Sequence, residues 1–214
     1  MKSALVMVSG GCDSATALFV TAKSFKPRAV FFDIGQMSAD FELTAARQVC
    51  RAADVPLEVV DLSGMKHFFL GLVNRPELAI GFYGGIVAES AGPNCPHGLF
   101  GVASTYCVSA GIDVLVTGMH AEDKPGAAAM KEYLQTWGAA IRKLQPTQFD
   151  FSFPLLDMGK ADVLKLGEES GVPLHLTRSC TRPTWRHCGT CPACTERRQA
   201  FKLAGVTDRT EYEA

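Results

Sequence analysis

The sequence predicts a Rossmann-like α/β fold, an open sheet of parallel strands, with a cysteine-rich C-terminal appendage. Three observations predict it. Apolar runs rich in valine, isoleucine and phenylalanine recur along the chain, with segments of helical pattern between them. The runs lack a clean polar/apolar alternation, which marks strands covered on both faces. Four of the eight cysteines crowd together near the C-terminus.

Taken in order, ALVMV (4–8) is the first strand, and a helix is predicted over 14–25. AVFFDI (29–34) is the second, followed by a helix over 39–53. LEVVDL (57–62) is the third and DVLVTG (113–118) the fourth. Such strand–helix alternation builds right-handed βαβ units. Between them, MKHFFLGLV (65–73) has helical character, GFYGG (81–85) and AGPNCPHG (91–98) read as loops, and a helix resumes over 99–110. A further helix over 128–145 carries Met130, Tyr133, Leu134, Trp137, Ile141 and Leu144 at helical spacing, a stripe expected to pack into the core. Another covers 158–171 and stops at Gly171. Composition changes at Cys180, so residues 1–175 are expected to form the α/β domain and 176–214 a metal-binding segment packed on it.

Bulk properties narrow the function classes. The 214 residues are 47% hydrophobic and 20% charged, enough for a core without covalent staples. A formal net charge of −1 gives no global field for nucleic acid or membrane, and CTERRQAFK is the single candidate basic patch. No run approaches the ~18 apolar residues of a membrane span. The opening MKSALVMVSGG is too short and too glycine-broken for a signal peptide, so a cytoplasmic protein is expected. Cys12, Cys50, Cys95 and Cys107 are scattered singly, a distribution suited to a reducing compartment.

The first strand runs into Ser9-Gly10-Gly11-Cys12-Asp13-Ser14. A ligand at the carboxyl end of a parallel strand meets main-chain N–H groups and the next helix N-terminus, which favour anions. Gly10 and Gly11 permit positive φ and close approach of a ligand to the backbone, and Ser9 and Ser14 add hydroxyls. Asp13 would repel a bare phosphate but could meet it through Mg²⁺. The plainer alternative is a tight turn with Asp13 or Ser14 capping the helix. The string is neither a Walker A loop nor GxGxxG.

At the other end, Cys180, Cys188, Cys191 and Cys194 follow the pattern C-x7-C-x2-C-x2-C. Two-residue spacers let thiolates converge on one ion, and four would close a structural Zn²⁺ shell. His187 is an alternative ligand, and an iron–sulfur cluster is the alternative metal centre. Arg197 and Arg198 follow on a predicted helix, with Arg198 expected in solvent.

The string Ser9-Gly10-Gly11-Cys12-Asp13-Ser14 behind an apolar strand resembles the PP-loop of the N-type ATP pyrophosphatases, whose fold is adenine nucleotide α-hydrolase-like. Glycine loop and cysteine knot together resemble the 7-cyano-7-deazaguanine synthase family of queuosine biosynthesis. FFDIGQ (31–36) with Glu42, Ala45 and Ala46, the Pro-Leu-x-x-x-x-Lys segment ending at Lys160, Ser179-Cys180, Arg197, Phe201 and AGVTDRTEY fall at matching positions. The resemblance implies an ATP-dependent C–N ligase that converts 7-carboxy-7-deazaguanine to a nitrile with ATP, Mg²⁺ and ammonia, as a homodimer carrying structural zinc. It implies that Ser9, Gly10, Gly11, Asp13 and Ser14 hold pyrophosphate and metal, that Lys160 neutralises phosphate charge, and that Asp33, Ile34 and Gln36 meet the adenosine. Gly118 keeps a turn, and Asp123 is a candidate Mg²⁺ ligand.

The middle of the chain departs from that family. TGMHAEDKPGAAAM (117–130) lacks its tyrosine, cysteine and arginine, AGPNCPHG lacks an arginine, and Gly-Gln-Arg-His reads Gly35-Gln36-Met37-Ser38. Asn94 or His97 are candidate stand-ins, and His120 is either a substrate contact or an ordinary loop histidine. Three other functions stay open at this point. One is a divergent paralogue that joins the same or a similar acid to another amine, on a protein or a nucleotide. Another is a PP-loop sulfur transferase acting on tRNA, disfavoured by the charge balance. The last is a non-catalytic nucleotide-binding protein.

Overall fold

The computed structural model describes residues 1–69, 97–123 and 126–213. The loops expected at 81–85 and in most of 91–98, with Asn94 and Cys95, lie outside the described residues.

Five strands form one parallel sheet: β1 (Ser3–Met7), β2 (Lys26–Asp33), β3 (Leu57–Asp61), β4 (Val114–Val116) and β5 (Asp150–Ser152), in the order β3-β2-β1-β4-β5. The order reverses beside β1, so β1 and β4 diverge from a switch point, where ligands of open α/β sheets bind. Among the described residues six helices accompany it: α1 (Cys12–Ala22), α2 (Ala39–Ala52), α3 (His97–Ala110), α4 (Ala127–Leu144), α5 (Lys160–Glu169) and α6 (Pro192–Ala204). Short 3₁₀ turns cover Ser63–Phe69 and Leu174–Leu176.

Both sheet faces are buried, as the unalternating strands require. Val6, Val8 and Phe31 point into one core with Leu18, Leu164 and Phe201; Leu5, Val30 and Phe32 point into the other with Phe100, Leu134 and Phe149. Ala200 and Phe201 of α6 therefore share the core of the first strand. At the strand origins, Asp113 accepts both the main-chain N–H and the hydroxyl of Ser3, each at 2.8 Å.

Predicted and observed elements differ in four places. The first helix starts at Cys12 and ends at Ala22, earlier at both ends. Strand β5 has no counterpart in the prediction: it is three residues long and begins with an exposed aspartate. In α4, Leu134 is buried, but Leu144, the last residue of the helix, is 84% exposed and Tyr133, next to Leu134, is 41% exposed. The helix predicted over 158–171 is Lys160–Glu169, with Gly171 at φ +77° beyond it.

Candidate nucleotide site and cysteine centre

Gly10 leaves β1 at φ +82°, a conformation that L side chains rarely adopt. A Cβ there would also lie 2.5 Å from the Glu42 carbonyl of α2. Gly11 differs. Its φ is −77°, and a Cβ would meet nothing nearer than Ser9 Oγ at 3.5 Å. Neither a positive φ nor a close contact demands a glycine at 11. Gly11 is the N-cap of α1 and no side chain caps the helix. The capping role open to Asp13 or Ser14 is therefore not taken. The Ser14 hydroxyl is instead shared within the loop, accepting from the Ser9 amide at 3.1 Å and donating to the Gly11 carbonyl at 3.2 Å. The first-turn amides and the positive end of the helix dipole are left for an anion.

Asp13 stands beside this helix end. Its Oδ2 accepts from Lys160 Nζ, while Oδ1 is buried with no hydrogen-bond partner among the described residues. Such an atom costs stability unless a ligand completes it. Lys160 is thus an ion-paired lysine rather than a free surface cation. Burial pulls its pKa down, but the Asp13 carboxylate, with Cys12 and Asp123, outweighs that and holds it above the usual lysine range.

His120 is the residue that the sequence undervalued. It is buried between β4 and α4, where its main chain bridges to Leu155. Its Nδ1 accepts the Glu122 amide at 3.3 Å, so in the neutral ring the proton sits on Nε2. Nε2 faces Asp123 Oδ1 at 3.3 Å and Asp13 Oδ2 at 3.9 Å. Asp123 Oδ2 accepts the His120 amide at 2.8 Å. One imidazole thus gathers two carboxylates from different loops. Glu122, the other member of the acidic pair with Asp123, accepts the first amide of α5, that of Lys160, at 3.0 Å. Gly118 lets these loops meet: its Cβ would lie 2.8 Å from Ser14 N and 2.9 Å from Asp13 C.

Asp33, Ile34 and Gln36 form a separate network at the end of β2. Asp33 Oδ1 accepts the Gly35 amide at 2.9 Å, Gln36 Oε1 accepts the Ile34 amide at 2.9 Å, and Gln36 Nε2 donates to Glu42 at 2.9 Å. Because Glu42 also roofs Gly10, this network lies against the glycine loop. His97 packs edge-on against Tyr133 at the start of α3.

The four cysteines converge. All four are buried, and their Sγ atoms lie within 4.8 Å of one another. Cys188–Cys194 is 3.9 Å and Cys180–Cys191 is 4.0 Å. Four sulfurs held tetrahedrally at ~2.3 Å from zinc would be about 3.8 Å apart, so the donor set fits that ion. Burial opposes ionisation of Cys188, but the amides of Thr190 and Cys191 overcome it and bring its pKa down to about 6. His187 is outside the cluster. Its Nε2 accepts the Ser179 amide at 3.0 Å, and burial, then Arg197 and Arg178, push its pKa down to about 4. Arg198 is exposed yet not free, lying 3.9 Å over the Tyr212 ring.

A parallel sheet whose first strand turns through two glycines into an uncapped helix defines a PP-loop nucleotide-binding fold. The model of the family described as "QueC: Queuosine biosynthesis protein QueC" matches residues 3–205. The chain belongs to this family. It is 33% identical over 215 residues to the 7-cyano-7-deazaguanine synthase of Caldicellulosiruptor bescii, covering 98% of this chain and 97% of the relative. It is 29% identical to the enzyme of that name from Methanobrevibacter smithii, covering 99% and 98%. Among solved structures, NMN synthetase from Francisella tularensis has the same fold, with a TM-score of 0.51 and 12% identity over 96% of this chain and 78% of that one. No helix among the described residues is long and apolar enough to cross a membrane.

Proposed function

We propose that this chain is an ATP-dependent ligase that adenylates a 7-carboxy-7-deazaguanine-type acid and lets ammonia displace AMP. The observation that carries the reading is the uncapped start of α1 beside Asp13, Lys160 and Asp123, in a chain whose relatives are named 7-cyano-7-deazaguanine synthase.

A carboxylate is a poor electrophile, so its oxygen attacks the α-phosphorus of ATP and pyrophosphate leaves. The loop amides of residues 10–14 with the Ser9 and Ser14 hydroxyls take the pyrophosphate oxygens. Lys160 offsets charge that builds on them. Asp33, Ile34 and Gln36 hold the adenosine end in register, which lowers the entropic part of the barrier. Ammonia attacks the acyl carbon and AMP departs, leaving an amide. A second ATP activates the amide oxygen, and loss of AMP and two protons forms the nitrile.

Asp13 and Asp123 suit Mg²⁺, since carboxylate oxygens match a hard cation and Asp13 Oδ1 lacks a partner. Held by Asp13 and Asp123, the ion would supply positive charge that offsets the repulsion between carboxylate and phosphate. Cys180, Cys188, Cys191 and Cys194 would hold a structural Zn²⁺. The cluster offers no open position for catalysis.

A second reading keeps adenylation and changes the amine. It rests on the start of α4, where Ala127, Ala128 and Ala129 stand in the segment that carries tyrosine, cysteine and arginine in the resembled family. One experiment separates the two. Purified protein with ATP, Mg²⁺ and 7-carboxy-7-deazaguanine is followed for AMP and by mass spectrometry, with and without ammonium. Amide and nitrile that require ammonium support the ligase. Acyl-adenylate and pyrophosphate with neither product favour the other amine, and the absence of both adenylate and AMP overturns both readings.

A further inference from the structure

We infer that Arg197 is a positioning residue that couples the cysteine centre to the nucleotide loop, so that metal and nucleotide raise each other's affinity. The inference rests on the reading that the loop binds the ATP phosphates.

Arg197 lies three residues after Cys194 and four before Phe201, on the inner face of α6, and is 1% exposed. Sequence reasoning left this arginine unplaced, although helical spacing from those two buried neighbours puts it inside. Its guanidinium is almost fully used. Nη1 donates to Cys12 Sγ at 2.9 Å, to Thr177 Oγ1 at 3.0 Å and to Ser179 Oγ at 3.2 Å. Nη2 donates to the Leu174 carbonyl at 2.8 Å and Nε to Thr210 Oγ1 at 2.9 Å. Cys12 is the first residue of α1, inside the glycine loop, and also contacts Thr177 Oγ1 at 3.0 Å.

A second line of bonds runs in parallel. The Arg178 amide donates to the Gly10 carbonyl at 2.8 Å, and the Ser179 amide donates to His187. Residues 177–179 are thus clamped between the glycine loop and the cysteine knot, directly before Cys180. Cys191 is the N-cap of α6 and Cys194 sits in its first turns, so a metal at the knot fixes where α6 begins. Arg197 then carries that placement to Cys12. A buried guanidinium cannot follow only one of its partners without leaving the others unsatisfied. Coupling of this kind is reciprocal and typically amounts to about 5- to 150-fold in affinity.

The test uses the zinc-loaded protein. Zinc affinity is measured by competition with a chromophoric chelator, with and without a non-hydrolysable ATP analogue, and analogue affinity is measured on the same preparation. The expected result is that the analogue raises zinc affinity at least about fivefold. Cys12→Ala removes the acceptor on the loop while leaving the knot intact, and is expected to bring the factor close to one while the chain still binds one zinc. Arg197→Lys keeps the charge but loses the fork, and is expected to retain one zinc per chain and bind the analogue more weakly. If the analogue merely stabilises the folded chain, Cys12→Ala keeps the full factor and the inference fails. It also fails if zinc affinity ignores a bound analogue. If the parent protein binds no analogue, both this inference and the ligase reading fall.

Discussion

Replacing Gly10 and Gly11 one at a time by alanine separates what the loop needs for folding from what it needs for its ligand. At Gly10 the new Cβ meets the Glu42 carbonyl at 2.5 Å and Ala45 Cβ at 3.1 Å, on a backbone held at φ +82°. Left-handed strain costs about 1–2 kcal/mol and overpacking about 1–3 kcal/mol, so about 2–5 kcal/mol is lost in total. For a chain of this size the melting temperature should fall by at least about 4 °C. At Gly11 the nearest atoms are Ser9 Oγ at 3.5 Å and the Arg178 carbonyl at 3.6 Å, both ordinary contacts at φ −77°. The loss of a glycine N-cap and the gain in chain entropy nearly offset, leaving stability within about 1 kcal/mol. A methyl there keeps a phosphate from the amides. Losing one charge-assisted hydrogen bond costs about 1.5–3 kcal/mol, or about 10- to 150-fold in Kd. Thermal denaturation and calorimetric titration with an ATP analogue read the two effects separately. A Gly11→Ala protein that binds the analogue like its parent would refute the loop as the phosphate cradle, and a Gly10→Ala protein of unchanged melting temperature would refute the strain argument.

Lys160→Met should lower kcat/KM for AMP formation by about 10²- to 10³-fold, the scale of one lost electrostatic contact in a transition state. Because Asp13 holds the Lys160 pKa above 10.5, the ion pair contributes fully below that pH and is lost only above it. A pH–rate profile of the parent should therefore show no fall assignable to Lys160 below about pH 10. His120→Ala should raise the Mg²⁺ concentration needed for half-maximal analogue binding by about tenfold, while His120→Gln, which can offer an N–H near the same place, should restore most of it. If His120 instead served as a base, the glutamine variant would be as impaired as the alanine one. Asp113 has its pKa lowered first by the Ser3 amide and then by the Ser3 hydroxyl, so its contribution is present above about pH 3.8 and is lost as pH falls through its lower folded value. Melting curves of Asp113→Ala below about pH 4 should accordingly slope less steeply than those of the parent.

The parts of this molecule legible in its sequence are those governed by local pattern. β1, β2 and β3 announce themselves as long apolar runs, and the cysteine knot by its two-residue spacers. Strand β5 could not be read, because three residues with an aspartate at the head carry no period; its existence depends on β4 offering a free edge. Leu144 was expected inside because periodicity gives the face of a helix but not how far along it burial extends. His120 has no periodic neighbours, and its burial follows from two loops closing over it at the carboxyl edge of the sheet. Arg197 was matched to the family but its burial was not read, for another reason. A charge is ordinarily taken as solvent-facing, and only the buried residues on either side of it along α6 argue otherwise. The glycine loop was recognised from residue types, but the distinct demands at positions 10 and 11 required the packing of α2.

Gly118 leaves no room for even a methyl group between the exit of β4 and the first turn of α1. That seam acts as a fixed rivet from which residues 119–123 are suspended. A library confined to Met119 and Ala121, sparing Gly118, His120, Glu122 and Asp123, should therefore leave the first turn of α1 in place. The same library with position 118 open would mostly collect chains whose first crossover has been forced out of place.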